Sequence, residues 1–220
     1  MKTFKSLVYE LDETGEVSSI IKTNTLENLD AGEVVIRVAY SSVNYKDALA
    51  AVNSRSGVIR HYPLIGGIDL SGEVISSEDK RFQKGDQVVV TGYDLGVSHH
   101  GGYSQVARVP AQWVIKLPDT LTLKEAMILG TAGLTAALSI NALLQHGLAD
   151  NKQAPVLITG ASGGVGSLAV GMLKKLGYEN LTVLTRKKIT SKEYFDRLGV
   201  NQIFSPEEMT PEHLRPLMTQ

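Results

Sequence analysis

The sequence predicts an α/β chain in two parts, a compact and partly closed β-barrel followed by a parallel α/β sheet. Three observations carry this. Residues 1–121 are short β-patterned runs broken by turn residues. A capping box, Thr122-Leu-Lys-Glu125, then opens a long helical stretch. From Ala154 onward the pattern alternates strand, glycine turn, helix, strand, helix, strand, the βαβαβ order of a parallel sheet.

In the first part the strand pattern falls on Lys5–Glu10, Glu33–Tyr40, Gly72–Ser76, Gln87–Thr91, Tyr103–Val109 and Trp113–Lys116. The intervening turns DAGE (30–33), QKGD (83–86) and HHGG (99–102) carry glycines, expected at positive φ. The helical stretch runs to about Gln145, is interrupted by Gly130-Thr-Ala-Gly133, and is expected to bridge two domains. Beyond it come a strand at VLIT (156–159), a helix over Val165–Leu176, a strand at LTVLT (181–185), a helix over Glu193–Leu198 and a strand at NQIF (201–204). Thr190-x-x-Glu193 and Ser205-Pro-Glu-Glu208 both read as helix N-termini. No internal repeat or low-complexity tract interrupts this order.

Of the 220 residues, 43% are hydrophobic and 20% charged, which is enough to bury a core. A net charge of -1 with scattered Lys and Arg excludes the one-signed basic surface of a nucleic-acid binder and favours a small-molecule partner. With no cysteine there is no disulfide, no thiolate nucleophile and no Cys-ligated zinc, and a reducing cytoplasm fits. No segment reads as approaching the eighteen or so apolar residues of a membrane span, and the chain is expected in the cytosol.

The stretch VLITGASGGVGS (156–167) places Ala161-x-Gly163-x-x-Gly166 where a dinucleotide fingerprint G-x-G-x-x-G stands, between a strand and a helix. Gly163 and Gly164 let backbone approach a pyrophosphate, Ser162 and Val165 flank them, and the first helical turn offers N–H groups. Gly166 permits close packing of helix on strand. The plainer alternative is a tight turn made for packing only. At the end of the second strand, where a carboxylate selects NAD and a basic group NADP, the chain reads Thr185-Arg186-Lys187-Lys188. A 2′-phosphate there meets a hydroxyl and up to three cations, so NADPH is the expected cofactor; a merely solvated basic loop is the alternative.

Several long motifs now converge. Phe82-Gln-Lys-Gly85-Asp86-x-Val88, GTAGLTA (130–136) and GASGGVG (160–166) resemble the medium-chain dehydrogenase/reductase superfamily. SSVNYKDALA (41–50), PLIGGIDLSGEV (63–74) and LGTAGLTAAL (129–138) resemble, within it, the YhdH/YhfP group of quinone oxidoreductase-like proteins that includes AcuI-type acrylyl-CoA reductases. The resemblance implies a GroES-like catalytic domain over 1–121. It implies a bridging helix and the N-terminal half of a Rossmann NADP-binding domain over 122–220. It further implies an oxidoreductase of the zinc-free branch, because Gly67-Ile68-Asp69 replaces the G-H-E of zinc members and Ile68 cannot ligate a metal. His99 and His100 are adjacent and lack further ligands, so a loop role is expected.

In that branch hydride passes from NADPH to an activated carbon–carbon double bond, as in an acrylyl-CoA-like thioester, or to a quinone. The enolate that forms needs a hydrogen-bond donor and then a proton. The resemblance places Asn44 and Tyr45 beside the nicotinamide, and a phenol stays protonated at neutral pH. Packing alone is the other reading of Tyr45. Lys46 and Asp47 are read as a local ion pair with a structural role. Thr131 stands where the family brings a helix N-terminus near the cofactor, with small neighbours Ala132 and Gly133. Arg55, Arg60 and His61 are candidates for acyl-CoA phosphates on charge alone.

The resemblance covers about the first two-thirds of a family member, and RPLMTQ (215–220) falls before the fourth strand of the sheet. Strand 156–159 then becomes an edge, and the strands of the family's homodimer interface are absent. The alternatives to a working reductase are a truncated NADPH-binding protein without turnover, a ligand-free fragment, and a zeta-crystallin-like quinone reductase.

Overall fold

Alternating burial along β1 (Phe4–Leu11) turns Phe4, Ser6 and Val8 inward and leaves Lys5 in solvent, the signature of a strand with one covered face. The computed structural model, which describes residues 3–52, 54–200 and 202–218, continues with β2 (Val17–Asn24), β3 (Val34–Tyr40), α1 (Tyr45–Val52), β4 (Leu64–Ile65), β5 (Asp69–Ser77), β6 (Gln87–Thr91), β7 (Val106–Val109) and β8 (Val114–Lys116). These elements belong to the first of two compact units, Met1–Thr131 and Ala132–Gln220.

The first unit holds two antiparallel sheets, ordered β2-β1-β4 and β7-β3-β5-β6-β8. The segment 103–109 joins them. Its leading residues bond to β1, through Leu7 N to Tyr103 O at 2.8 Å and Gln105 N to Lys5 O at 3.0 Å, and β7 pairs with β3. This shared strand is what partly closes the barrel. Val34, Ile36, Leu70, Val74, Val88, Val90 and Val109 have no exposed surface and form its centre. Three elements were not expected from the sequence: β2, α1 and the two-residue β4. β2 is almost wholly exposed, so it shows no inward-outward alternation to read. α1 occupies NYKDALAAV, where Asn44 precedes the helix and Asp47, at its third position, accepts the Asn44 N–H at 2.8 Å.

The turn glycines require a correction. Gly85 has φ 95 as expected, but Gly32, Gly101 and Gly102 are not in the left-handed region. They are glycine because backbone passes too close for a Cβ. One added at Gly32 would lie 2.3 Å from Val109 C, at Gly101 2.2 Å from Gly67 O, and at Gly102 2.2 Å from Asp69 O.

α2 (Leu123–Gln145) opens with the expected capping box: Thr122 N donates to Glu125 Oε2 at 2.9 Å and Glu125 N to Thr122 Oγ1 at 3.2 Å. The expectation that no segment is long and apolar enough to cross a membrane is corrected here. By length and composition alone α2 is, with a mean hydropathy of 1.7. Gly130 breaks it with non-helical φ 54 and ψ -157, however, and neither 123–129 nor 131–145 reaches the ~20 residues of a span. Only part of its apolar surface packs: Ala126 and Met127 are buried in the first part and Ala136 and Ile140 in the second, whereas Ile128, Leu134, Leu138 and Leu143 are exposed.

In the second unit β9 (Val156–Thr159), α3 (Gly164–Lys175), β10 (Leu181–Leu184), α4 (Lys188–Arg197) and β11 (Gln202–Phe204) alternate as expected, and the three strands are parallel in the order β11-β10-β9. β9 is an edge. Val170, Leu173, Tyr178, Val183 and Phe195 fill the core, joined by Ile140 of α2. Asn201, the first residue of the expected last strand, lies outside the described residues. Two helix starts are corrected. α4 begins at Lys188, so Thr190 lies inside it rather than at its cap. Ser205–Glu208 is a single turn closed by Glu208 N to Ser205 O at 3.1 Å, and the final helix, α5 (Pro211–Met218), opens one segment later behind Thr210.

Candidate functional site

In the first unit the chemistry gathers on one carboxylate. Asp69, at the start of β5, has no exposed surface. Its Oδ1 accepts the Ser42 N–H at 2.7 Å. Its Oδ2 accepts the Ser42 hydroxyl at 2.5 Å, the Asn44 amide at 3.1 Å, and the Thr131 N–H and hydroxyl at 3.1 and 2.7 Å. Two of the sequence-derived residues, Asn44 and Thr131, are therefore brought together, and the residue that does so was not singled out from the sequence. Thr131 is the first residue after the Gly130 break, so Asp69 caps the second part of α2. Its N–H and hydroxyl are spent on that carboxylate. The Asn44 Nδ2 also reaches Ser42 Oγ at 3.1 Å, which orients the amide nitrogen inward.

Tyr45 opens α1 and is 80% exposed, so it does not pack as a core aromatic. Asp47 is buried, and its partner is not Lys46: no ion pair joins the two among the described residues. Instead Asp47 takes the Asn44 N–H, while the Tyr103 hydroxyl donates to Ser42 O at 3.2 Å. Burial raises the Asp47 carboxyl above its usual range against the Asn44 bond. Burial likewise pushes the Tyr9 phenol up to about 12, with the Asp47 charge adding to it, and drives Tyr103 up in the same way. Ile68, next to Asp69, is buried and has no ligating atom. His99 and His100 stitch loops together. The His99 ring nitrogens lie 3.0 Å from His100 O and 3.2 Å from Ala31 O, while His100 Nδ1 accepts the Ile65 N–H at 3.2 Å. Arg60 sits 3.6 Å from Asp94.

In the second unit one pocket is lined by Gly160, Ser162, Gly163, Thr185, Arg186 and Lys187, uniting the glycine turn with the end of β10. Gly160 makes the turn at φ 60. A Cβ on Gly166 would meet Gly160 O at 2.5 Å, so only glycine lets α3 start this close to β9. Gly163 is the cap of α3 and offers no side chain to bond, which leaves the first-turn N–H groups around Gly164 and Val165 open. Ser162 Oγ lies 2.6 Å from Thr185 Oγ1, and Thr185 Oγ1 in turn accepts the Lys187 N–H at 3.0 Å. These bonds tie the two walls of the pocket. Arg186 and Lys187 are exposed beside it. Lys188 is not a free cation, since its Nζ is paired with both oxygens of Glu208 at 2.7 and 2.6 Å.

Two consequences can be measured. Asp69→Ala strands several buried donors at once, and destabilisation of the chain by about 3 kcal/mol or more is expected in urea unfolding, with Asp69→Asn milder. The raised Tyr9 phenol means that the folded state keeps a proton the unfolded chain loses above pH 10. Stability contributed by Tyr9 is therefore present below pH 10 and lost as pH rises toward 12, by on the order of 2 kcal/mol. In Tyr9→Phe the fall in the urea midpoint between pH 9 and pH 11 is expected to be smaller than in the parent chain.

The chain is similar to known proteins. Residues 30–119 match the alcohol dehydrogenase GroES-like domain family. The putative quinone oxidoreductase YhfP of Bacillus subtilis is 47% identical over 93% of this chain and 61% of its own length, and its crystal structure with NAD bound superposes with a TM-score of 0.89. Acrylyl-CoA reductase AcuI of Ruegeria pomeroyi is 44% identical over 99% of this chain and 65% of its own. The yhdH oxidoreductase of Salmonella enterica, solved in complex with NADP, has a TM-score of 0.87 at 41% identity, covering 94% of this chain and 62% of that one. The chain thus spans 61% to 65% of the length of these relatives. It shares their GroES-like domain and the first three parallel strands of their Rossmann sheet, and it belongs to the YhfP/YhdH/AcuI group of the medium-chain dehydrogenase/reductase superfamily.

Proposed function

We propose that the chain carries the cofactor-binding and proton-handling parts of an NADPH-dependent reductase acting on an activated carbon–carbon double bond, of the acrylyl-CoA type, or on a quinone. The observation that carries this reading is the single pocket formed by Gly160, Ser162 and Gly163 with Thr185, Arg186 and Lys187. The residues fit a dinucleotide. The uncapped start of α3 suits a pyrophosphate, and the missing Cβ of Gly166 holds that helix end in place. Arg186 and Lys187 suit a 2′-phosphate. Related structures hold NADP in one case and NAD in another, which supports a nicotinamide dinucleotide without deciding between them.

NADPH, when bound, supplies the hydride. The chain's own part is to orient and to donate. Asp69 and the Ser42 hydroxyl fix the Asn44 side chain by accepting from its amide nitrogen, which leaves the amide oxygen to accept from a ligand. Tyr45, exposed and without a hydrogen-bond partner among the described residues, donates to the oxygen on which negative charge develops and then supplies the proton. The acceptor class rests on AcuI and YhfP, named for acrylyl-CoA reduction and quinone oxidoreduction.

Nucleotide fluorescence titration tests the pocket. The chain is expected to bind NADPH saturably, and Arg186→Ala to weaken that binding about tenfold or more with little effect on NADH. Turnover with acrylyl-CoA or a small enone tests the chemistry. Tyr45→Phe is expected to lower kcat by about a hundredfold with NADPH affinity retained. Binding without turnover in the parent chain would support a nucleotide-binding protein instead.

A further inference from the structure

The basic end of β10 is less basic in space than in sequence. Lys188 opens α4, and its Nζ donates to both carboxylate oxygens of Glu208, which lies on the turn after β11. Glu208 Oε2 also accepts the Ser205 N–H at 2.8 Å, so the carboxylate is anchored rather than loose. The Lys188 ammonium keeps its carboxyl below the usual range. Glu207, beside it, is also held low, chiefly by the Ser205 hydroxyl and in part by the charge of Arg186. Arg186, Lys187, Lys188, Ser205 and Glu208 line one shared pocket. Three cations and one carboxylate therefore line this pocket, and a second carboxylate, Glu207, stands near enough to feel the charge of Arg186.

Two ligands would meet this arrangement differently. A 2′-phosphate carries nearly two negative charges and competes with Glu208 for the Lys188 ammonium. A free 2′-hydroxyl is compatible with a carboxylate, which is the group that accepts from it in NAD-selective sites. We propose that Glu208 is a specificity determinant: by occupying Lys188 in the pocket that adjoins the glycine turn's and shares Arg186 and Lys187 with it, Glu208 holds down the preference for NADP and lets the chain accept NAD as well. This rests on the dinucleotide reading above. Glu208 acts through Lys188, so its effect vanishes when that lysine is removed.

The test uses ligands that carry the discriminating group alone, 2′,5′-ADP and 5′-AMP, titrated calorimetrically into the 220-residue chain, with NADPH fluorescence alongside. The readout is the ratio of the Kd for 5′-AMP to that for 2′,5′-ADP. Glu208→Gln is expected to raise this ratio about threefold to tenfold, the range of a partly exposed charge pair. In a Lys188→Gln background the same change is expected to move it by less than about twofold. Far-ultraviolet circular dichroism and urea midpoints confirm that each variant is folded. A ratio that stays level or falls in Glu208→Gln, while the parent chain binds 2′,5′-ADP, overturns the role of Glu208 and leaves the cofactor reading standing. Failure of the folded parent chain to bind 2′,5′-ADP, 5′-AMP or NADPH overturns both.

Discussion

A carboxylate with no exposed surface must find its compensation inside the protein, and Asp69 finds it entirely in hydrogen-bond donors; no cation lies within ion-pair distance of it among the described residues. That need organises the first unit. To supply donors, residues 42–44 must run past the head of β5, and α2 must break at Gly130 so that Thr131 presents its N–H and hydroxyl. The break itself depends on glycine twice over. Its φ of 54 lies in the left-handed region, and a Cβ there would come 2.7 Å from the Ser42 hydroxyl oxygen. The helix interruption, the placing of Asn44 and the start of β5 are thus one constraint seen from three sides. α1 follows from it, because Asn44, once held by Asp69, is also the residue capped by Asp47.

The second unit relies on absent atoms rather than on a buried charge. Gly160 and Gly166 bring the beginning of α3 against the end of β9, and Gly163 leaves the helix end uncapped. An uncapped helix start is normally a liability, since its N–H groups lack partners. Here it faces a pocket whose opposite wall, Thr185 to Lys187, is tied to it through the Ser162–Thr185 hydroxyl pair. The same feature that weakens the helix in isolation leaves its N–H groups open, and it is the one to which the proposed function assigns a pyrophosphate.

Charge at the end of β10 is a balance rather than a sum along the chain. Arg186 and Lys187 stand exposed, whereas Lys188 is committed to Glu208, and Glu207 adds a further carboxylate. A basic run in a sequence gives an upper bound on the positive potential; the folded chain decides how much of it remains.

What the sequence by itself determined were the features written within a few adjacent residues. The βαβαβ order, the glycine turn before α3, the capping box at Thr122 and the family motifs all lie in short windows, and the structure has them where the pattern places them. β2 left no trace because both of its faces meet solvent, and α1 was hidden inside a motif read for its chemistry. Tertiary structure decided the rest, through contacts between distant positions. Asp69 takes its role from partners 27 and 62 residues away. The state of Lys188 is set by a glutamate 20 residues on. Gly32, Gly101 and Gly102 are glycine because other backbone crosses them, not because their own turns demand it. Local backbone preference and periodicity depend only on neighbours along the chain, so a sequence displays them. Burial, counter-charge and close approach depend on which segments the fold brings together, so they exist only once it has formed.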